Sequence, residues 1–347
     1  MARVRMEKTQ ILIAAALAIC GCGGHGGAGD DTKGMVYGSP PATISAGEAL
    51  SPELYSGLGL SEAPEVKPVG STPVLDVRID MTHAMVRVAE RDSFMAWTFG
   101  GTLPGPVIHV RQGDRLRFTT TNRSDRTVAL APPMPHAVDF HAAMVNPLDK
   151  YQPVAPGATL RFEWVANYPG VFMYHCAMPP VLQHLAYGMY GMVIVDPKNG
   201  YPTTPDREYA IVQSELYLKK GKGGRLEVDD AAASRKEATY VVFNGRPNRH
   251  EEEPLLAKAG ERVRLYVLNA GPNGTSSFHV LGTVMDRVWL DGNPANQLRG
   301  MQTVLLPASG GAVVEFVVPE AGVYPFVDHE FSDAEHGAMG RINAMSP

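Results

Sequence analysis

Val154-Ala155-Pro156-Gly157-Ala158-Thr159-Leu160-Arg161-Phe162-Glu163-Trp164, followed by Pro169-Gly170-Val171-Phe172-Met173-Tyr174, sets a pattern that recurs later in this chain. The second copy reads Leu306-Pro307-Ala308-Ser309-Gly310-Gly311-Ala312-Val313-Val314-Glu315-Phe316, then Ala321-Gly322-Val323-Tyr324-Pro325-Phe326. In each copy a glycine-containing turn leads into an apolar strand, and a Gly-Val pair opens a second strand rich in aromatics. Upstream, Val110-Arg111-Gln112-Gly113-Asp114-Arg115-Leu116-Arg117 is echoed by Ala257-Lys258-Ala259-Gly260-Glu261-Arg262-Val263-Arg264. Two copies of this length indicate a duplicated β-sandwich and not a solenoid, which needs many short units. The turn-rich Asp196-Pro197-Lys198-Asn199-Gly200-Tyr201-Pro202 marks the junction, giving domains 69–198 and 199–347.

The rest of the chain agrees with an all-β reading. A length of 347 residues suits two domains, and 36 Gly with 28 Pro break it into short runs rich in Val, Phe, Thr and Tyr. Val74–Ile79 and Met85–Val88 alternate as half-buried strands do. Val107–Asp114 and Leu116–Asn122 read as a hairpin turning at Gly113-Asp114. No long stretch keeps helical periodicity. The formal net charge of −5 argues against a nucleic-acid partner.

Where the first copy ends, the sequence runs Tyr174-His175-Cys176, then His184 and Met189 in the order Cys-x7-His-x4-Met. With His136 upstream, these residues form a His2Cys set with an axial Met. Soft sulfur with imidazole suits copper cycling between its two oxidation states, and this is a blue-copper donor set. His136 and His141 differ by an odd number, as do His175 and Cys176, so on regular strands each pair splits between two faces. One face then collects His136, Cys176, His184 and Met189; the other collects His141 and His175. The second copy has no cysteine at the matching place but keeps Val327-Asp328-His329. His329 can add a third imidazole to His141 and His175, leaving a coordination position open, as catalytic metals require.

The N-terminus reads as an export signal. Arg3, Arg5 and Lys8 precede an apolar run too short to span a bilayer. Ile19-Cys20-Gly21-Cys22 has a lipobox-like pattern, so residues 1–22 are expected to be a lipoprotein signal ending at a lipidated Cys22. Residues 23–68, rich in Gly, Pro and Ser, then form a flexible tether. Cys176 is thereby the one thiol left unmodified, which fits metal ligation.

Several motifs resemble those of the copper nitrite reductases, two-domain cupredoxin enzymes. They are Leu103-Pro104-Gly105-Pro106, His136-x-x-Asp139-Phe140-His141, Tyr174-His175-Cys176, Gly188-Met189-Tyr190-Gly191, Ser277-Phe278-His279-Val280-Leu281-Gly282 and Val327-Asp328-His329, within residues 74–345. The resemblance implies two tandem Greek-key cupredoxin sandwiches and two coppers per chain. His136, Cys176, His184 and Met189 would hold type 1 copper; His141, His175 and His329 would hold type 2. Electrons would pass from one to the other through Cys176-His175. It further implies a homotrimer in which His329 completes a neighbour's site, Asp139 and His279 as proton donors, and Leu281 as a wall of the nitrite pocket. A c-type cytochrome or small cupredoxin would supply electrons. The short Cys-x7-His loop and the lipoprotein-like start resemble the outer-membrane-anchored subgroup, placing the protein in the periplasm or on that membrane.

Two rival readings differ in the metals they require. A laccase-like multicopper oxidase needs paired His-x-His motifs, and this chain has none. A pure electron carrier or copper-binding cupredoxin would hold one copper where the enzyme holds two. Asp139 has an alternative role in orienting His141. His83 and His109 read as structural, His25 as a solvated tether residue, and His250 and His336 as surface residues.

Overall fold

The computed structural model describes residues 67–68, 74–89, 92–126 and 131–347. The expected signal segment, Cys22 and almost all of the expected tether lie outside these residues.

Short strands dominate, and they follow the duplication seen in the sequence. In the first half, one sheet runs Lys67–Pro68, Val74–Arg78, Arg115–Thr121, Thr159–Val165, and a second runs Ile108–Arg111, Tyr190–Asp196, Gly170–His175, Asp139–Phe140. In the second half, a six-stranded sheet is centred on Arg262–Asn269 and Gly311–Val317. A five-stranded sheet carries Gly322–Asp328 between Met339–Met345 and Ser276–Val280. The echoed segments Arg115–Thr121 and Arg262–Asn269 hold equivalent places, each pairing antiparallel with its copy of the turn-led strand. A further sheet joins the halves: Leu226–Val228 pairs in parallel with Ser93–Phe99, Leu226 opposite Phe94.

The expected hairpin at Gly113-Asp114 is not formed. Ile108–Arg111 pairs with Tyr190–Asp196, whereas Arg115–Thr121 pairs with Val74–Arg78 and Thr159–Val165 in the other sheet. The turn is a corner between sheets. Two of its backbone donors reach outside the turn: Gln112 N–H donates to Asp196 O and Gly113 N–H to Ala166 O, both at 2.8 Å. A hairpin would need adjacent strands to bond each other.

Among the described residues, three apolar clusters fill the body. One lies inside the first sandwich around Phe118, Phe140, Trp164 and Tyr174, and it includes Cys176 and Met189. Another fills the second sandwich around Phe243, Phe278, Phe316 and Phe326. The third draws Met173, Met192 and Ile194 from the first half together with Val212, Leu268 and Trp289 from the second. Tyr190–Asp196 therefore reads almost entirely apolar because both its faces are covered. Beside this cluster the buried Arg264 and Glu315 pair at 2.7 Å, and Arg264 Nη1 also bonds Glu208 at 3.0 Å. His109 acts structurally at the same edge, 2.8 Å from Asp196.

His250 is not a surface residue. It is 1% exposed, its ring packs near Phe326, and Gly340 lacks the side chain that would occupy its place. His250 Nδ1–H donates to Glu253 O at 3.1 Å, leaving Nε2 to accept from Asn244 Nδ2 at 2.9 Å. That neutral form suits burial, which pushes its pKa down to about 4. His336 is exposed, as expected.

Candidate metal centre

Two clusters of donor atoms sit on either side of the His175-Cys176 peptide. His136, Cys176 and His184 are buried and present ligand atoms all within 4.8 Å of one another. The Cys176 Sγ lies 3.2 Å from His184 Nδ1 and 4.0 Å from His136 Nδ1, and the two Nδ1 atoms are 3.2 Å apart. Asp139, His141 and His175 form the other cluster, with the two Nε2 atoms 3.1 Å apart and Asp139 Oδ2 3.9 Å from His175 Nε2.

Local structure explains the buried set. His175 ends the strand Gly170–His175, so Cys176 turns into the core beside Tyr174. The short helix Val181–Ala186 buries His184 in its last turn. Met189 N–H then donates to His184 O at 3.1 Å, and Cys176 N–H to Met189 O at 3.0 Å, drawing the fully buried Met189 back beside the cysteine. Gly188 makes this turn at φ +111°, where a Cβ would come within 2.8 Å of Leu103 Cδ1. Ala137 N–H donates to Cys176 Sγ at 3.4 Å. His136 is held by mutual backbone bonds with Val154.

Strand register explains the open set. Asp139 pairs with His175 and Phe140 with Tyr174, while His141 N–H donates to Met173 O at 3.0 Å. Asp139, His141 and His175 therefore share the face opposite Phe140 and Tyr174. The expected division into two clusters is present, but only Asp139–Phe140 is strand between His136 and His141. Cross-strand pairing, not the parity of one regular strand, assigns His141 to its face. His175 Nδ1–H donates to Cys176 O at 3.0 Å, which leaves its Nε2 lone pair aimed at His141.

The electrostatics of both clusters favour cation binding. Burial pushes His136 down to about 3 and His184 to about 4, so both imidazoles are neutral donors. Burial pushes the Cys176 thiol up to about 11, so a thiolate there needs a cation to stabilise it. His141 is also lowered, first by lost hydration of its ring and then by His175. Neutral imidazoles around a soft sulfur fit copper.

Within one chain, His329 is not part of the His141–His175 cluster among the described residues. It is exposed on the second sandwich, 5.4 Å from the ring of His279 and 4.7 Å from that of Phe331. His279 Nδ1–H donates to Gln302 O, leaving Nε2 as its other ring nitrogen. Leu281 is 38% exposed one residue beyond the strand Ser276–Val280. The buried Asp328 accepts from Ser277 N–H, Glu330 N–H and Gln213 Nε2, fixing the backbone on both sides of His329.

Two contributors escaped sequence reasoning. Trp97 stacks on Tyr187 with ring centroids 3.9 Å apart and meets His184 in a T-shaped pair at 4.8 Å. His83, 5% exposed, has its Nε2 2.9 Å from His136 Nε2. Its position in phase with buried Met81 was the available signal, but its distance from His136 in sequence concealed the contact.

Fold and donor atoms together define a protein of the cupredoxin and multicopper oxidase class. The multicopper oxidase family model matches residues 80–200. The copper-containing nitrite reductase of Neisseria gonorrhoeae is 39% identical over 292 residues, covering 81% of this chain and 72% of that protein. The one from Pseudomonas chlororaphis is 30% identical, covering 79% of each chain. The solved copper nitrite reductase of Nitrosomonas europaea superposes with a TM-score of 0.69 at 36% identity, covering 78% of this chain and 94% of that one. The chain belongs to the copper-containing nitrite reductase family.

Proposed function

We propose that this protein reduces nitrite to nitric oxide, NO2− + e− + 2H+ → NO + H2O, as an enzyme with two coppers per chain. The observation that carries the proposal is the pair of donor clusters on opposite faces of one peptide bond, one buried and one open. His136, Cys176, His184 and Met189 hold the type 1 ion; His141 and His175, with His329 of a neighbouring chain, hold the type 2 ion. When bound, the two coppers supply the electron and the Lewis acid that polarises nitrite.

The chain's own residues do the remaining work. Cys176 and His175 are bonded neighbours with donor atoms on opposite faces, so a short covalent path joins the clusters. Asp139, beside the open cluster, delivers one proton to the oxygen that leaves as water. His279 delivers the second proton from Nε2, its Nδ1–H being committed to Gln302 O. Leu281 supplies an apolar wall on the second domain, limiting how nitrite lies. A head-to-tail assembly closing after three chains would give each cluster, which holds two imidazoles of its own, the His329 of a neighbour.

The same reading divides the folded part at 198/199 and makes the protein an exported lipoprotein, periplasmic or anchored through Cys22 to the outer membrane. Electrons arrive from a c-type cytochrome or small cupredoxin, and the reaction serves denitrification. The direct test is anaerobic nitric oxide production by copper-loaded protein with an artificial donor, alongside copper analysis. About two coppers per chain with nitric oxide release is expected. One copper per chain and no nitric oxide would leave a carrier.

A further inference from the structure

His83 lies on the strand Met81–Arg87, in phase with the buried Met81, and packs against Trp97 with ring centroids 5.7 Å apart. Its Nε2 is 2.9 Å from His136 Nε2, while its Nδ1 is buried with no hydrogen-bond partner. The other nitrogen of His136, Nδ1, faces Cys176 Sγ and His184 Nδ1.

We propose that His83 is a positioning residue for His136: it accepts the His136 Nε2–H bond and so holds the ring and tautomer that leave Nδ1 free to ligate. Only one hydrogen can lie between two ring nitrogens at this separation. If His136 uses the Nδ1 lone pair for a metal and remains a neutral imidazole, its hydrogen must be on Nε2. His83 must then accept at Nε2, which puts its own hydrogen on the orphaned Nδ1.

An unpartnered buried donor carries a penalty, and Phe or Leu would fill this strand position without it. The polar contact that offsets the penalty is the one made to His136. Before the metal binds, the opposite polarity leaves no orphaned N–H: His83 Nε2–H donates to His136, and His136 Nδ1–H points at Cys176 and His184. Metal binding thus reverses the direction of one hydrogen bond without changing the proton count of the two rings. Accepting from a ligand's outer N–H makes that imidazole a stronger donor. It therefore favours Cu(II) over Cu(I) and lowers the reduction potential.

This inference rests on His136 ligating copper, and its test separates the two claims. The blue absorption and type 1 reduction potential are measured in the copper-loaded full chain and in His83→Phe, His83→Leu and His83→Gln. The apolar variants should stay blue but lose on the order of tenfold in Cu(II)-over-Cu(I) preference, a rise of about 59 mV. His83→Gln, whose amide oxygen can accept the same bond, should recover most of the shift. Blue apolar variants with an unmoved potential, or a Gln variant shifted as far as Phe, would overturn the proposal. If the apolar variants do not fold, nitrogen NMR of the reduced wild-type protein decides: His83 should carry its hydrogen on Nδ1, and hydrogen on Nε2 overturns the assignment. A wild-type protein that never turns blue removes the copper reading itself, and this inference with it.

Discussion

Mixing two inactive variants tests how the open metal cluster is completed. His141 and His175 converge at 3.1 Å within one chain, while His329 sits on the other sandwich outside their cluster. His329→Ala and His141→Ala should each keep the blue colour, lose type 2 copper and lose nitrite reduction. In a head-to-tail ring, each site takes His141 and His175 from one chain and His329 from the next. After equal amounts of the two variants are exchanged, a site is intact when a His329→Ala chain is served by a His141→Ala chain. Chance assortment makes about a quarter of the interfaces complete, so activity should return to about a quarter of the wild-type value. The control is His141→Ala mixed with His175→Ala. Both lesions fall within the same chain's pair, so no assortment restores a site when the two residues act together. Exchange is followed by native mass spectrometry of differently tagged chains, and activity by nitric oxide release. Verified mixing without recovery would show that His329 is not lent between chains. Recovery in the control would show that His141 and His175 do not serve one site.

Other outcomes follow from the same geometry. Cys176→Ala should abolish the intense visible absorption yet retain type 2 copper, measured by optical and electron paramagnetic resonance spectra; a coloured variant would refute the thiolate assignment. Asp139→Asn should keep both coppers and lower turnover by on the order of 10²-fold. If its activity matches wild type at every pH, Asp139 only orients a ligand. For metal-free protein, His250 gives a signed pH effect. Its folded-state pKa of about 4 lies below the ordinary 6.5, so the unfolded chain binds the extra proton and stability falls as pH drops from 6.5 toward 4. The contribution is about 3 kcal/mol for a shift of that size. Denaturation midpoints of His250→Phe should vary less steeply over that window, and an unchanged slope would count against the assignment.

The legibility of this chain depended on how local each signal was. Gly170-Val171 and Gly322-Val323 announced the repeat because turn and strand lie side by side in sequence. Cys176, His184 and Met189 were readable for the same reason: one loop carries all three. The corner at Gly113-Asp114 was misread because a Gly-Asp turn looks alike whether its strands pair with each other or leave for different sheets. His250 was misread because Arg249, Glu251 and Glu252 around it are polar, while the space that buries it comes from Gly340. His83 reaches His136 only by side-chain packing between segments 53 residues apart in sequence.

The apolar cluster shared by the two sandwiches bears on how the molecule comes apart. Tyr190–Asp196 feeds the first core from one face and the shared cluster from the other, and Leu226–Val228 extends a sheet begun by Ser93–Phe99. Separating the halves would strip Trp289 and Met192 of their cover. Amides in these strands are therefore expected to exchange with solvent through one common opening of the whole body. A backbone cut in the Pro197–Pro202 connection would then leave the fragments associated. A duplicated sandwich has in this way given up the independence its repeat implies, and denaturant should melt both halves in a single step.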